Sequence, residues 1–144
     1  MFSKEASKRL RQDFWISFGK SYPKKWIRYK TGIKDLAFKF HFDRNMALVS
    51  LQINTHDLEH RITLWERLTS LKTILLQDYL HDAIFEETGI LEDGKEVSRI
   101  IVIKENVSIH DKNTWQETML FLNEKMLSFE DFFDTYKTVL DYPA

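Results

Sequence analysis

The chain has no cysteine, only four glycines and two prolines among 144 residues, and no long apolar run. Without cysteine it has no disulfide, no thiol nucleophile and no thiolate metal site. Its apolar runs are too short to span a membrane, and residues 1–12 lack the apolar core of a secretory signal. We therefore predict a cytoplasmic protein without a membrane partner. The scarcity of glycine and proline predicts long elements joined by short loops.

The length fits a single domain comprising residues 1–144. With 43% hydrophobic residues, the chain can form a core that needs no disulfide or metal ion for stability. The net charge of −1 hides a division of the chain. Residues 1–56 carry 12 Lys/Arg against 4 Asp/Glu, whereas residues 57–144 carry 9 against 18. Either the two parts neutralise each other in the fold, which is the ordinary arrangement and the one we favour, or the basic part faces an anionic partner.

The first predicted element is a helix over residues 3–21, ended by Pro23. Lys4, Lys8 and Arg11 fall on a solvated side of this helix. Its core-facing stripe has apolar residues four positions apart, which is the spacing of one helix face. The stripe consists of Leu10, Phe14, Phe18 and Tyr22.

Two hairpins follow from alternating patterns. Residues 36–43 and 47–54 alternate with period two on either side of Arg44-Asn45, which predicts a hairpin with one buried face. A short strand over residues 83–88 and a longer one over 97–105 flank the Asp93-Gly94 turn signal. The returning strand is apolar on both faces, which is typical of a central or covered strand.

Helical patterns separate and follow the hairpins. One long helix is predicted from Thr55 or Asp57 to Tyr79, and the last third of the chain reads as helix from Asn113 or Thr114, with a kink or a fresh start at Ser128. The predicted order is therefore helix, hairpin, helix, hairpin, helix. This order indicates an α+β fold with helices packed on an antiparallel sheet of about four strands.

The basic connection between the first helix and the first hairpin contains the pattern W-x-x-Y-K-T-G-I-K over residues 26–34. This pattern resembles the signature of a bacterial domain-of-unknown-function family, DUF four-two-six-eight (DUF4268). Further pieces along nearly the whole chain agree, including Phe14-Trp15, Ser98-Arg99-Ile100 and residues 129–133. The resemblance implies no established activity. Some relatives resemble the C-terminal part of longer proteins with a nuclease-like module, which these residues do not contain, and this implies a DNA-related setting.

Two nucleotide and metal motifs match only in part. Gly19-Lys20-Ser21 resembles the end of a phosphate-binding loop, but Phe14 stands where that motif needs glycine. Residues 56–60 read H-x-x-E-H, a zinc-hydrolase spacing, because two histidines four apart point the same way on a helix. This match lies at a predicted helix start, where acidic residues are favoured in any case. We interpret it as structural.

Other catalytic patterns are missing. A metal-dependent nuclease needs acidic residues on a core strand, but the outward positions of the second strand are the neutral Ser50, Gln52 and Asn54. No G-x-S-x-G elbow occurs. We therefore predict no catalytic residues, no metal site and no cofactor, and an unrecognised metal-dependent hydrolase is kept only as an alternative.

The basic, aromatic-rich connection is the best candidate for ligand contact. Its cations suit phosphates and its rings suit unpaired bases. The structural alternative, which we favour, is that the aromatic rings of this connection pack against the edge of the core and that its lysines form ion pairs with the acidic part of the chain. Arg99 lies on an apolar strand and needs a partner there, either a carboxylate of the last helix or a bound anion. The candidates are Lys24, Lys25, Trp26, Arg28, Tyr29, Lys30, Thr31, Lys34 and Arg99.

The sequence thus favours a non-enzymatic binding or interaction module with a nucleic-acid or protein partner. A nucleic-acid partner is the first expectation, because of the family setting and the divided charge. A protein–protein module, including self-association through a hairpin edge, is the alternative.

Overall fold

The computed structural model describes residues 3–23 and 31–141. Four α-helices lie in this part of the chain, together with one short 3₁₀ turn over Lys112–Thr114. The first two α-helices are capped by the side chains of Ser3 and Asp57, each of which accepts a backbone N–H from the first turn. The helices are α1 (Lys4–Ser21), α2 (Leu58–Ser70), α3 (Lys72–Asp78) and α4 (Trp115–Leu140).

Four strands form one fully antiparallel sheet in the order β1-β2-β4-β3. The predicted α+β class and the four-stranded antiparallel sheet are therefore confirmed. The register of β3 against β4 shifts between Glu86 and Gly89, which bends the edge strand at that point. The strands are β1 (Leu36–Phe42), β2 (Met46–Ile53), β3 (Ile84–Ile90) and β4 (Glu96–Glu105).

The predicted five-element order is corrected in the middle of the chain. The single helix expected between the hairpins is two helices, α2 and α3, which meet at Leu71. There the Leu71 N–H bonds to the Leu68 and Thr69 carbonyls, a tighter turn than the α-helix makes. Leu64, Leu68, Leu71 and Leu75 are all buried on both sides of the break. Because the apolar spacing continues through the break, the pattern carries no sign of it.

The fresh helix start predicted at Ser128 is wrong, since α4 continues through that residue. The alternative, a kink within the helix, stays a prediction. Leu122, Met126, Phe129 and Phe133 are buried at helical spacing on either side of Ser128, and this continuous apolar face packs against the core. Thr114 does not cap α4 with its side chain, because its hydroxyl instead exchanges hydrogen bonds with the backbone of Ser108.

The helices pack on one face of the sheet. Phe14 of α1 is fully buried against Phe42 and Trp115, with ring centroids 4.7 and 5.4 Å away. Phe38 of β1 contacts the rings of Phe129 and Phe133 of α4 in the same layer. Among the described residues, none of the helices combines the length and hydrophobicity needed to cross a membrane.

The tip of the β3–β4 hairpin lies over part of the other face of the sheet. Glu92 at this tip lies 3.5 Å from His41 of β1, measured from Oε1 to Nε2. Strands β1 and β3 are opposite edges of the sheet, three strand spacings of about 4.8 Å apart. The contact therefore requires the tip to arch across the sheet, and it encloses a cavity against residues of β1, β2 and β4.

Candidate functional site

Six of the predicted ligand contacts lie outside the described residues. Lys24, Lys25, Trp26, Arg28, Tyr29 and Lys30 all fall in the segment 24–30, so they stay predictions. The described chain resumes at the other members of the candidate set, Thr31 and Lys34.

Thr31 is buried and anchors the turn that leads into β1. Its hydroxyl donates to the Leu36 carbonyl at 2.8 Å and accepts the Ile33 N–H at 3.1 Å. Gly32 follows with φ of +85°, a conformation that glycine adopts readily. The Thr31 side chain therefore has a structural task in this turn. Lys34, by contrast, is exposed.

Arg99 points into the cavity face of the sheet and pairs with Glu86 of the neighbouring strand. The Nε–Oε1 distance is 2.7 Å, and the Arg99 side chain is 14% exposed. The expectation that a carboxylate of the last helix serves Arg99 is wrong, because Glu86 is directly opposite Arg99 in the β3–β4 register. A Cβ on Gly89 would lie 2.9 Å from the Arg99 Nε and 3.0 Å from the Glu86 Oε1. The Arg99–Glu86 ion pair therefore packs against the Gly89 backbone, where no side chain intervenes.

The two histidines of the H-x-x-E-H pattern do not share a helix. His56 precedes the Asp57 cap of α2, and only His60 lies within the helix. The His60 Nε2 is 3.3 Å from the Lys34 carbonyl and 3.5 Å from an Asp35 carboxylate oxygen. Of the two histidines, His60 therefore connects α2 to the residues that precede β1.

The cavity under the hairpin tip measures about 540 Å³ and is lined by both polar and apolar side chains. Ser50 and Gln52 of β2 are 1% and 4% exposed, although no residue of the described helices lines this cavity. The Ser50 Oγ has no hydrogen-bond partner among the described residues. A buried hydroxyl without a partner costs about 1–3 kcal/mol, so such a group points to a polar occupant of the cavity.

Three potential ligand atoms converge at the mouth of this cavity. His41, Asp43 and Glu92 each offer one atom, and these atoms lie within 4.8 Å of one another. The His41 Nε2 is 2.8 Å from the Asp43 Oδ2, and the Asp43 Oδ1 accepts the backbone N–H groups of Asn45 and Met46. Burial raises the pKa of Asp43, but these hydrogen bonds together with the charge of His41 outweigh it and hold the pKa below its ordinary value.

A line of surface depressions connects this cavity to α1 and to the turn at Thr31. The depression over α1 shares Arg11 and Trp15 with the next one, which shares His41 with the cavity, and the cavity shares Lys39 with the depression at Thr31. Carboxylates line the same depressions, namely Asp13, Asp35, Asp43, Glu92 and Asp93. We name the lysines and arginines of this line that form no ion pair among the described residues the basic track. Its members are Lys8, Arg11, Arg44, Lys39 and Lys34.

The basic track is not neutralised by contacts within the described chain. The four lysine and arginine ion pairs formed there all use cations from the second, acidic part of the sequence. These cations are Arg61, Arg99, Lys104 and Lys125. Four carboxylates of the acidic part therefore pair with cations of that same part, and the side chains of the basic track are exposed.

Two aromatic rings lie beside the track. Trp15 of α1 and Phe40 of β1 are partly exposed, and their ring centroids are 6.0 Å apart with an interplanar angle of 30°. Both line the depression that also contains Arg11 and Arg44. Sequence reasoning assigned the solvated side of α1 correctly, but it did not connect that side to β1, because the connection exists only after folding.

Comparison with known proteins gives one match. The family model described as a domain of unknown function, DUF4268, matches residues 10–137. Neither the curated proteins nor the solved structures contain a match to this chain. The matched range contains most of α1, the whole sheet and most of α4, so it covers every strand that builds the cavity and most of the basic track. The chain therefore belongs to the DUF4268 family of domains of unknown function.

Proposed function

We propose that this protein is a non-enzymatic module that binds single-stranded nucleic acid along the basic track. The observation that carries the proposal is the line of five lysines and arginines, none of which takes part in an ion pair of the described residues. Lys and Arg side chains that neutralise phosphates release counterions, and this release supplies most of the affinity of sequence-independent binding.

The aromatic pair favours a single strand over a duplex. Every base has a flat face that stacks on an aromatic ring, but in a duplex these faces are already stacked on neighbouring bases. Trp15 and Phe40 lie between the α1 cations and Arg44, so a strand following the track passes the rings. At its other end the track reaches Thr31, which the predicted contacts of residues 24–30 directly precede in sequence.

Charge reversal on α1 tests the proposal with a matched control on the same helix. Lys8, Arg9 and Arg11 are all exposed, but only Lys8 and Arg11 line the depressions. Arg9 is rotated from Lys8 by about 100° around the helix axis. The assay is fluorescence anisotropy of a labelled single-stranded oligonucleotide at low salt with EDTA present.

The proposal predicts that Lys8→Glu and Arg11→Glu each weaken binding several-fold, whereas Arg9→Glu has a clearly smaller effect. Equal losses in all three variants would mean that only the net charge matters, and the track would have no role. Circular dichroism of each variant checks that α1 is intact.

Self-association is the second candidate function, and exposed isoleucines on the edge strand β3 favour it. Ile84 and Ile90 are 49% and 58% exposed on a strand with one unpaired edge. Unpaired strand edges are templates for a second chain. A wild-type protein that binds no oligonucleotide and sediments as a dimer would favour this candidate over the first.

A further inference from the structure

We infer that His41, Asp43 and Glu92 form a binding site for one divalent transition-metal ion of the Zn²⁺ class. The three residues come from separate places in the fold: strand β1, the β1–β2 turn and the tip of the β3–β4 hairpin. Glu92 reaches the other two only because the hairpin arches over the sheet. His41 and Asp43 are close in sequence, and the tertiary fold adds Glu92 to them.

The donor set fits this class of metal. One imidazole nitrogen and two carboxylate oxygens suit Zn²⁺ and its first-row neighbours, whereas Mg²⁺ and Ca²⁺ prefer oxygen ligands alone. Three protein ligands also leave a coordination position open. The backbone holds Asp43 in place, because the Asn45 and Met46 N–H groups bond its Oδ1 at 2.8 and 3.0 Å. The remaining oxygen, Oδ2, faces His41.

Ser50 provides a second observation that points to a ligand. Its hydroxyl lines the same cavity, is buried, and has no hydrogen-bond partner within the described chain. Ser50 pairs with Lys39 in the sheet register, so it lies diagonally across from His41 on the same face. A polar group carried by a bound metal ion is an occupant that would satisfy this hydroxyl.

The site extends the proposed function without depending on it. Asp43 and Glu92 are two of the carboxylates that line the depressions of the basic track, and they repel phosphate at its centre. A divalent cation held between them reverses that repulsion. Metal binding is measured without nucleic acid, and the oligonucleotide assay contains EDTA, so the two proposals fail or survive separately.

Isothermal titration of the full chain with ZnCl₂ tests the inference. We expect one ion per chain in the wild type, and at least about tenfold weaker binding in His41→Ala and Glu92→Gln. The exposed His81 and Glu124 lie outside the cluster, so His81→Ala and Glu124→Gln are matched controls and should bind like the wild type. Co²⁺ gives an independent optical readout, since its visible bands depend on the ligand set.

Two results would overturn the inference. One is the lack of a saturable one-to-one site in the wild type, and the other is unchanged affinity in Glu92→Gln. The Glu92 side chain is 81% exposed, so this variant keeps the fold even if His41→Ala does not. Loss of binding in the control variants to the same degree would equally contradict the assignment.

Discussion

Two glycine-to-alanine substitutions should change stability in opposite directions. Gly89 lies on β3, and an added Cβ would come within 2.9 Å of the Arg99 Nε and 3.0 Å of the Glu86 Oε1. Gly19 lies inside α1, and an added Cβ meets nothing within 4 Å. Neither has a positive φ, so alanine is compatible with the backbone at both positions.

The magnitudes follow from the contacts. Gly89→Ala must displace an ion pair that is partly exposed to solvent, at 14% and 33% for its two side chains. A charge-assisted hydrogen bond contributes about 1.5–3 kcal/mol, and solvent screening reduces this, so we expect a loss of about 1–2 kcal/mol. Gly19→Ala replaces the poorer helix former and should gain about 0.5–1 kcal/mol.

Urea unfolding followed by circular dichroism measures both changes, and thermal unfolding should move by roughly 3–4 °C per kcal/mol for a domain of this size. A double variant with Glu86→Gln separates the causes, because the cost of Gly89→Ala should shrink once the ion pair is gone. The reasoning is refuted if Gly89→Ala is as stable as the wild type or if both substitutions stabilise the protein.

Two further predictions concern the turn before β1 and the aromatic pair. Thr31→Val removes a buried hydroxyl that bonds Ile33 and Leu36, and it should lower the free energy of unfolding by about 1–3 kcal/mol, whereas Thr31→Ser should cost less. The midpoints of urea unfolding measure this difference, and equal midpoints for the two variants would contradict the role given to the Thr31 hydroxyl. Trp15→Leu should weaken single-stranded DNA binding by about 1–3 kcal/mol in the anisotropy assay and affect a duplex far less. Equal losses on both substrates would argue against stacking.

Much of the fold could be predicted because its signals are local. The period-two pattern of β1 and β2 and the stripe of α1 each depend on residues within a few positions. The break at Leu71 could not be predicted, since no proline or glycine marks it and the leucine spacing runs through it. Ser128 is the reverse case, because a residue typical of helix starts is overridden by the buried face around it.

The candidate site is largely a product of tertiary structure. Glu92 meets His41 only because β3 bends at its register shift and carries the hairpin tip across the sheet. Arg99 was expected to need a partner, and strand register supplies Glu86, which the order of elements alone does not indicate. The division of charge between the two parts of the chain was visible in the sequence. Which cations form ion pairs depends on the positions of their side chains in the fold.

The salt dependence of single-stranded oligonucleotide binding by the wild-type protein, measured in EDTA, tests the proposed function most directly. Each phosphate contact on a single strand contributes about −0.7 to the slope of log K against log salt concentration. Five track cations therefore predict a slope of about −3.5, and Arg11→Glu should make it shallower by about 0.7, whereas Arg9→Glu should leave it unchanged. A slope near zero, or no binding even at low salt, would contradict the basic track as a nucleic-acid surface.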